Sequence, residues 1–376
     1  MAIDYVEIRD GNTDVIGIID AAKSIIWHSV YFGVGDFEIY AQASPEVIAL
    51  LQVGNYVTRP DDLEVGIIEA IDISENAQDG MMVTATGRFA KSMLDRRLIY
   101  NLSGNTNKPT ILQGNVEMEV RRLVYENAIV CTFDSRRNIP ILTLGDVAGI
   151  PLEIVDLNGN AAQKQVSYQN LLEYTDEVLA EYGLAATVVL DEEEKKLRYV
   201  IYSGTDRSAD NAAGNDPIIF SEDFDNLESS SYQLNAATEK NVALIGGEGE
   251  GVERFYSLIA GKHTGLQRRE MWVDASSIAK KYMDGNDVEQ TYSDADYKAM
   301  LDAAGVQDLA QNVATETFNG TMNLTHSPWQ YNVDFALGDI ITMQNNEIGV
   351  YINVRLREVL EVQDENGYAI QANNQT

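Results

Sequence analysis

Residues 50–71 read LLQVGNYVTRPDDLEVGIIEAI, and residues 336–359 read ALGDIITMQNNEIGVYINVRLREV. The two stretches share a plan. An apolar residue precedes Gly54 and Gly338, and a small polar residue, Asn55 or Asp339, follows. Two strand formers and a threonine come next, ending at Thr58 or Thr342, then a polar turn, a second glycine (Gly66 or Gly349) and a β-branched run. Each stretch reads as a β-hairpin. Two explanations stand open: coincidence, because glycine-flanked hairpins are common, or two related β-barrel domains in one chain.

Outward from the first hairpin, FEIYA (37–41) and MMVTATGRF (81–89) alternate like strands. SPEVIALL opens with a cap at Ser44 and proline at the first helical position, which predicts a short helix. KSMLDRRLIY (91–100) reads as another. In SYQNLLEYTDEVLAEYG, Tyr168, Leu171, Leu172, Thr175, Val178, Leu179 and Tyr182 fall at helical spacing, with Ser167 as the expected cap and Gly183 as the end. ATVVLDEEEKKLRYVIYSG reads as two strands around a charged turn. Ser293 and Asp296 stand at capping-box spacing, Gly305 is expected to end that helix, and VQDLAQNVATETF to form a partner helix.

The predicted fold class is therefore mainly β with α+β insertions. The expected division is a first barrel over 1–130, an α+β insertion over 131–231, a second barrel over 232–274 and 318–376, and a helical insertion over 275–317.

Charge excludes several functions. The formal net charge is −32, and no basic cluster exceeds a pair of arginines. Nucleic acids and anionic membranes are bound through lysine and arginine, so neither is an expected partner. No run approaches the roughly 20 apolar residues of a spanning helix. The N-terminus MAIDYVEIRD lacks the basic and apolar regions of a secretion signal. A single cysteine, Cys131, rules out an intrachain disulfide and a cysteine zinc cage.

No catalytic or cofactor site is expected. GGEGEG (246–251) supplies Gly246, Gly247, Gly249 and Gly251, but its spacing is not that of a pyrophosphate loop, and Glu248 and Glu250 would face the phosphates. It reads as a strand junction needing glycine's freedom. His28, His263 and His326 lack metal-site spacing. Asp61-Asp62 and Glu192-Glu193-Glu194 read as solvated turns without the pattern of a calcium loop, which leaves a weak calcium site open. Cys131 sits in an apolar run and reads as an inert core thiol, and no GxSxG elbow occurs.

Taken together and in order, FEIYA, GNYVTRPDDLEVGIIEAI, TATGRFAKSMLDRRLIY, IGGEGEGVER and GLQRREMWVDASSI resemble the tail-hub family of long-tailed phages, the siphovirus relative of the baseplate hub of contractile tails. The resemblance implies a structural protein of the virion tail tip, made in the bacterial host cytoplasm. It implies two tube-like barrels per chain and a homotrimer that joins the tail tube to the tip around the DNA path. Its partners would be the tail tube or distal tail protein, tip or spike proteins, and the tape measure. The chain ends soon after the second barrel, so no peptidoglycan-degrading domain is expected. From another class, the alternative is a peripheral baseplate protein that binds host-surface glycans.

Overall fold

The computed structural model describes residues 3–77, 79–103, 106–155, 161–283, 288–325 and 327–373. His326 lies outside them. Contacts divide the chain into a first unit, Met1–Ile154 with Gln163–Ser231 and Phe318–Thr376, and a second, Val155–Ala162 with Tyr232–Thr317. Residues 232–274 thus group with 275–317 rather than with 318–376, and most of 131–231 groups with the first unit.

The first unit opens with β1 (Val6–Arg9), β2 (Val15–Ile19), β3 (Ala22–Val30) and β4 (Asp36–Gln42). Burial alternates along β3 and β4, with Ile25, Trp27, Phe37 and Ile39 inward and Ser24, His28, Glu38 and Tyr40 on the other face. That is the two-residue period of a strand with one buried face. Helix α1 (Pro45–Leu50) begins as read: the Ser44 side chain accepts from the Val47 N–H at 3.2 Å. Then come β5 (Tyr56–Thr58), β6 (Val65–Asn76), β7 (Gly80–Phe89) and a 3-10 helix, Ala90–Arg96.

Helix α2 (Val116–Val124) and strand β8 (Leu142–Leu144) precede α3 (Leu171–Glu181). The cap of α3 is Asn170, not Ser167. Asn170 Oδ1 accepts from the N–H groups of Leu172 and Glu173, while Tyr168 at φ +64° keeps the preceding residues out of the helix. Gly183, at φ +69°, follows its end. Next are β9 (Ala185–Asp191), β10 (Lys196–Tyr202), β11 (Ile219–Ser221) and β12 (Leu227–Asn235).

The second unit holds β13 (Val242–Gly246), β14 (Tyr256–Ile259), β15 (Glu270–Asp274) and α4 (Asp294–Gln311). α4 is one helix, not two. Gly305 lies inside it, because a side chain there would meet Ile245 at 2.7 Å and hold the helix off the sheet. The expected partner helix is instead the last turns of α4 and the start of β16 (Thr315–Asn323). The chain closes with β17 (Ile340–Asn345), β18 (Val350–Arg355), β19 (Glu358–Asp364) and β20 (Gly367–Asn373).

One long sheet has the order β12-β16-β20-β19-β3-β4-β7-β6-β5-β1-β2. Smaller sheets are β8-β10-β9, β11-β17-β18 and β14-β13-β15. Apolar clusters of the first unit back the long sheet. Trp27, Phe37, Ile39 and Phe89 belong to one; Phe220, Phe318, Phe335, Ile341 and Met343 belong to another. The fold is mainly β with a few helices. The strand pairing among the described residues traces an open order and no closed barrel.

Candidate assembly interface

The two quoted hairpins have the same geometry where they begin. Gly54 and Gly338 stand at φ +94° and +93°, a region open to glycine. The Gly54 N–H donates to Ile68 O at 2.8 Å, and the Gly338 N–H donates to Leu356 O at 2.8 Å. In return, Ile68 N–H donates to Asn55 O and Leu356 N–H to Asp339 O. Asn55 N–H donates to Gln52 O, and Asp339 N–H to Ala336 O, each at 3.1 Å. Thr58 and Thr342 are both buried, and each hydroxyl ties a neighbouring segment: Thr58 Oγ1 accepts from Arg9 Nε, Thr342 Oγ1 from Ala209 N–H.

The second glycines are not counterparts. Val57 pairs with Gly66, while Ile341 pairs with Val354, so Val354 holds Gly66's place. Gly66 lies within β6, where a side chain would strike the Phe37 ring at 2.4 Å. Gly349 precedes β18, at φ +65° with open space around it. The two second glycines therefore have different duties.

The correspondence extends past the hairpins. β4 pairs with β7 and β7 with β6; β16 pairs with β20 and β20 with β19. Met322 faces Ala372 as Ile39 faces Ala85. The Asn323 N–H reaches Asn226 O at 3.1 Å, which sets β12 beside β16 as β3 lies beside β4. Four strands, β3-β4-β7-β6, are thus repeated as β12-β16-β20-β19 in the same sheet. The repeats meet where β19 pairs antiparallel with β3, from Glu358 opposite Val30 to Gln363 opposite Ile25.

By this register, the part of β6 that matches the joining edge of β19 is Ala70–Glu75. It pairs with β7 on one side, and β5 covers only Val65–Ile67 on the other. The strand that matches β3 is β12, which ends the sheet order. Two unpaired edges of complementary kind are therefore present among the described residues, one along Ala70–Glu75 and one along β12. Unpaired edges are templates for another chain. Ile73, on the former, is 47% exposed.

The sheet face turned from the core is acidic. Asp36 and Glu38 of β4, Asp72 of β6, Glu358 of β19 and Glu228 of β12 lie on it, against Arg88 of β7. Arg88 is itself paired with Glu69 and Asp95. His28 Nδ1 lies 3.2 Å from Asp36, within the same face.

The glycine-rich loop lies in the second unit. A side chain at Gly246 would meet the Trp272 ring at 2.2 Å, and one at Gly247 the Tyr297 hydroxyl at 2.6 Å. Gly249 and Gly251 stand at φ +101° and +55°. Tyr297 Oη donates to Ile278 O and accepts from the Glu248 N–H at 2.7 Å. This is a packed strand junction whose amide is already occupied. Cys131 is buried. Among the described residues, no group of three or more His, Cys, Asp or Glu is placed to hold a metal ion, and no helix is long and apolar enough to cross a membrane.

Missed from the sequence was a buried ionic knot joining the repeats. Arg59 donates to Glu361 at 3.0 and 3.1 Å and to Asp61 at 3.1 and 2.9 Å, and Tyr368 Oη donates to Glu361 at 2.6 Å. Burial pulls the Arg59 guanidinium down, and the two carboxylates more than reverse it.

This architecture is that of phage tail proteins. The tail protein from Neisseria meningitidis MC58 superposes with a TM-score of 0.53 at 12% identity, over 98% of this chain and 95% of that one. The 43 kDa tail protein of prophage MuSo2 from Shewanella oneidensis gives 0.54 at 12% identity, over 98% and 97%. At such identities the likeness is one of fold. Residues 5–373 match the model of the siphovirus ReqiPepy6 Gp37-like proteins, and the chain belongs to that family of phage tail proteins. No curated protein sequence matches it.

Proposed function

We propose that the chain is the hub of a phage tail tip. It forms a homotrimer whose duplicated strand repeats make a pseudo-sixfold ring, joining the tail tube to the tip and surrounding the DNA path. The observation that supports this most is the joint between β19 and β3. Pairing Ala70–Glu75 of one copy with β12 of the next repeats that joint between chains. Such a head-to-tail contact closes into a ring when its rotation divides a full turn. Each copy brings two repeats, so three copies present six. The order β12-β16-β20-β19-β3-β4-β7-β6 then runs unbroken around the ring.

In this reading β3, β4, β7 and β6 supply one tube-like barrel repeat and β12, β16, β20 and β19 the other. Residues 232–317 leave and rejoin the ring between β12 and β16. The bare acidic face of the sheet becomes the lumen, which repels phosphate instead of binding it. The work is structural rather than enzymatic. The partners are the tail tube or distal tail protein above, and tip, spike or tape-measure proteins along the axis.

Register makes the reading testable. Gln363 opposite Ile25 and Val362 opposite Ile26 translate to Glu75 opposite Leu227 and Ser74 opposite Glu228 between copies. Ser74→Cys with Glu228→Cys, in a Cys131→Ala background, should give oxidised dimers and trimers on a denaturing gel. Light scattering should give a trimer mass at physiological salt. The trimer carries three times −32, or −96, and lower salt lengthens the repulsion beyond about 8 Å, so dilution of salt should dissociate it. Monomers at every concentration, with no cross-link, would refute the ring.

A further inference from the structure

Beside the turn of the first hairpin lies a cavity of about 500 Å3, the size of a small-ligand site. Val189 of β9, Val200 of β10 and Leu337 give it apolar walls, and Tyr202 and Tyr331 line it as well. Asp62 and Glu64 border it from the turn, and Leu63 between them is 77% exposed, which places the mouth there.

Neither of these two carboxylates forms a salt bridge among the described residues. One oxygen of each is taken by a neutral donor: Asp62 Oδ1 accepts from the Glu64 N–H at 2.7 Å, and Glu64 Oε2 from the Thr187 hydroxyl at 2.9 Å. Arg59 and Lys91, cations whose fields reach the pair, are bound to Asp61 and Glu361 and to Asp176. Burial, with Asp62 close by, pushes Glu64 up to about 7. Ser29 of β3 also lines the cavity. It is 3% exposed, and its hydroxyl makes no hydrogen bond among the described residues. A polar group so buried ordinarily has a partner.

We propose that this cavity binds a primary alkylammonium ion. The free oxygens of Asp62 and Glu64 and the Ser29 hydroxyl offer three acceptors, matching the three N–H donors of an ammonium. A guanidinium fork takes both oxygens of one carboxylate, and here one of each is already engaged. Among the described residues no three acids are placed to hold a metal ion. The apolar walls suit an alkyl chain, and the tyrosines favour a cation over a neutral head. A lysine side chain of a docking tail protein and a free polyamine share this chemistry. The site lies within one unit of a single chain and is independent of the ring.

Isothermal titration calorimetry of the full chain at about pH 8 keeps both carboxyls ionised while n-pentylamine is protonated. Pentylammonium should bind saturably at one site per chain, and n-pentanol, the same chain without charge, should not. Asp62→Asn and Glu64→Gln should each weaken binding about tenfold or more, the loss of one charge-assisted hydrogen bond. Glu38→Gln, at an acid of the sheet face, should leave it unchanged, which separates the cavity from the general pull of a −32 chain. Pentylammonium should also raise the Tm of the wild type and not that of Glu64→Gln. Cadaverine sorts the source. Binding about tenfold tighter than pentylammonium means that a second ammonium finds the second carboxylate, as in a free polyamine; equal binding means a single ammonium on its chain, as in lysine. No saturable binding of pentylammonium, or binding that survives both Asp62→Asn and Glu64→Gln, overturns the proposal.

Discussion

Arg59 and Glu361 are joined by two parallel hydrogen bonds with side chains only 2% and 5% exposed. Arg59 begins the turn of the first hairpin; Glu361 sits in β19 of the other repeat. Removing one member of a buried pair strands the other charge, at a cost of roughly 3–5 kcal/mol. Arg59→Ala strands Asp61 as well as Glu361 and should lower the unfolding free energy by that order, with a matching fall in the urea midpoint. Arg59→Met with Glu361→Leu should recover most of it. Urea unfolding of the three variants measures both effects.

Gly54 and Gly338 have the same φ but different surroundings, so alanine separates conformation from packing. Gly54→Ala meets only the left-handed penalty, about 1–2 kcal/mol. Gly338→Ala adds the clash with Tyr31, about 1–3 kcal/mol of overpacking. Tyr31→Ala should narrow the gap between the two. Equal losses from both glycines in urea melts would contradict this.

The acids of the first hairpin turn predict an unusual pH dependence. Burial pushes Asp62 up to about 6 and Glu64 up to about 7. Thr187 Oγ1 donates to Glu64 at 2.9 Å, and the neighbouring charges Asp61 and Glu361 add to the rise at Asp62. A carboxyl whose folded pKa is raised binds more protons folded than unfolded, so its contribution is present at low pH and is lost as pH rises from about 4 to about 7. Acids held low, such as Asp61, Asp191 and Asp274, act in the opposite sense at lower pH. Tm should therefore climb between pH 7.5 and 5.5. Glu64→Gln should flatten that climb, while the general repulsion of a −32 chain remains in both proteins. A parallel climb in the variant would show that Glu64 is not its source.

The acidic sheet face gives a charge-reversal experiment. Glu38→Lys, Asp72→Lys and Glu358→Lys together turn that face basic. Lysines facing a duplex release counterions, so binding should appear and fall steeply with salt. The triple variant should retard duplex DNA at low salt where the wild type does not. Failure of the assembled variant to bind would place these residues away from the DNA path.

The sequence by itself determined the local elements. The two-residue alternation of FEIYA announced β4, and Ser44 with Pro45 announced α1, because strand period and helix caps depend on residues close together in the chain. Gly54 and Gly338 were legible as matching positions in two hairpins, but their shared positive φ appears only in the structure. What only the tertiary structure decided was everything set by distant neighbours. Gly66 is required by Phe37 and Gly305 by Ile245, and no local pattern separates such glycines from those of a turn or a helix end. Asn170 displaced Ser167 as a cap because Tyr168 turns the backbone between them. The knot of Arg59 with Glu361, the pairing of β19 with β3 and the acidic face of the sheet join residues far apart in sequence. Their positions follow from the order of strands in the sheet, which hydrophobic alternation does not encode.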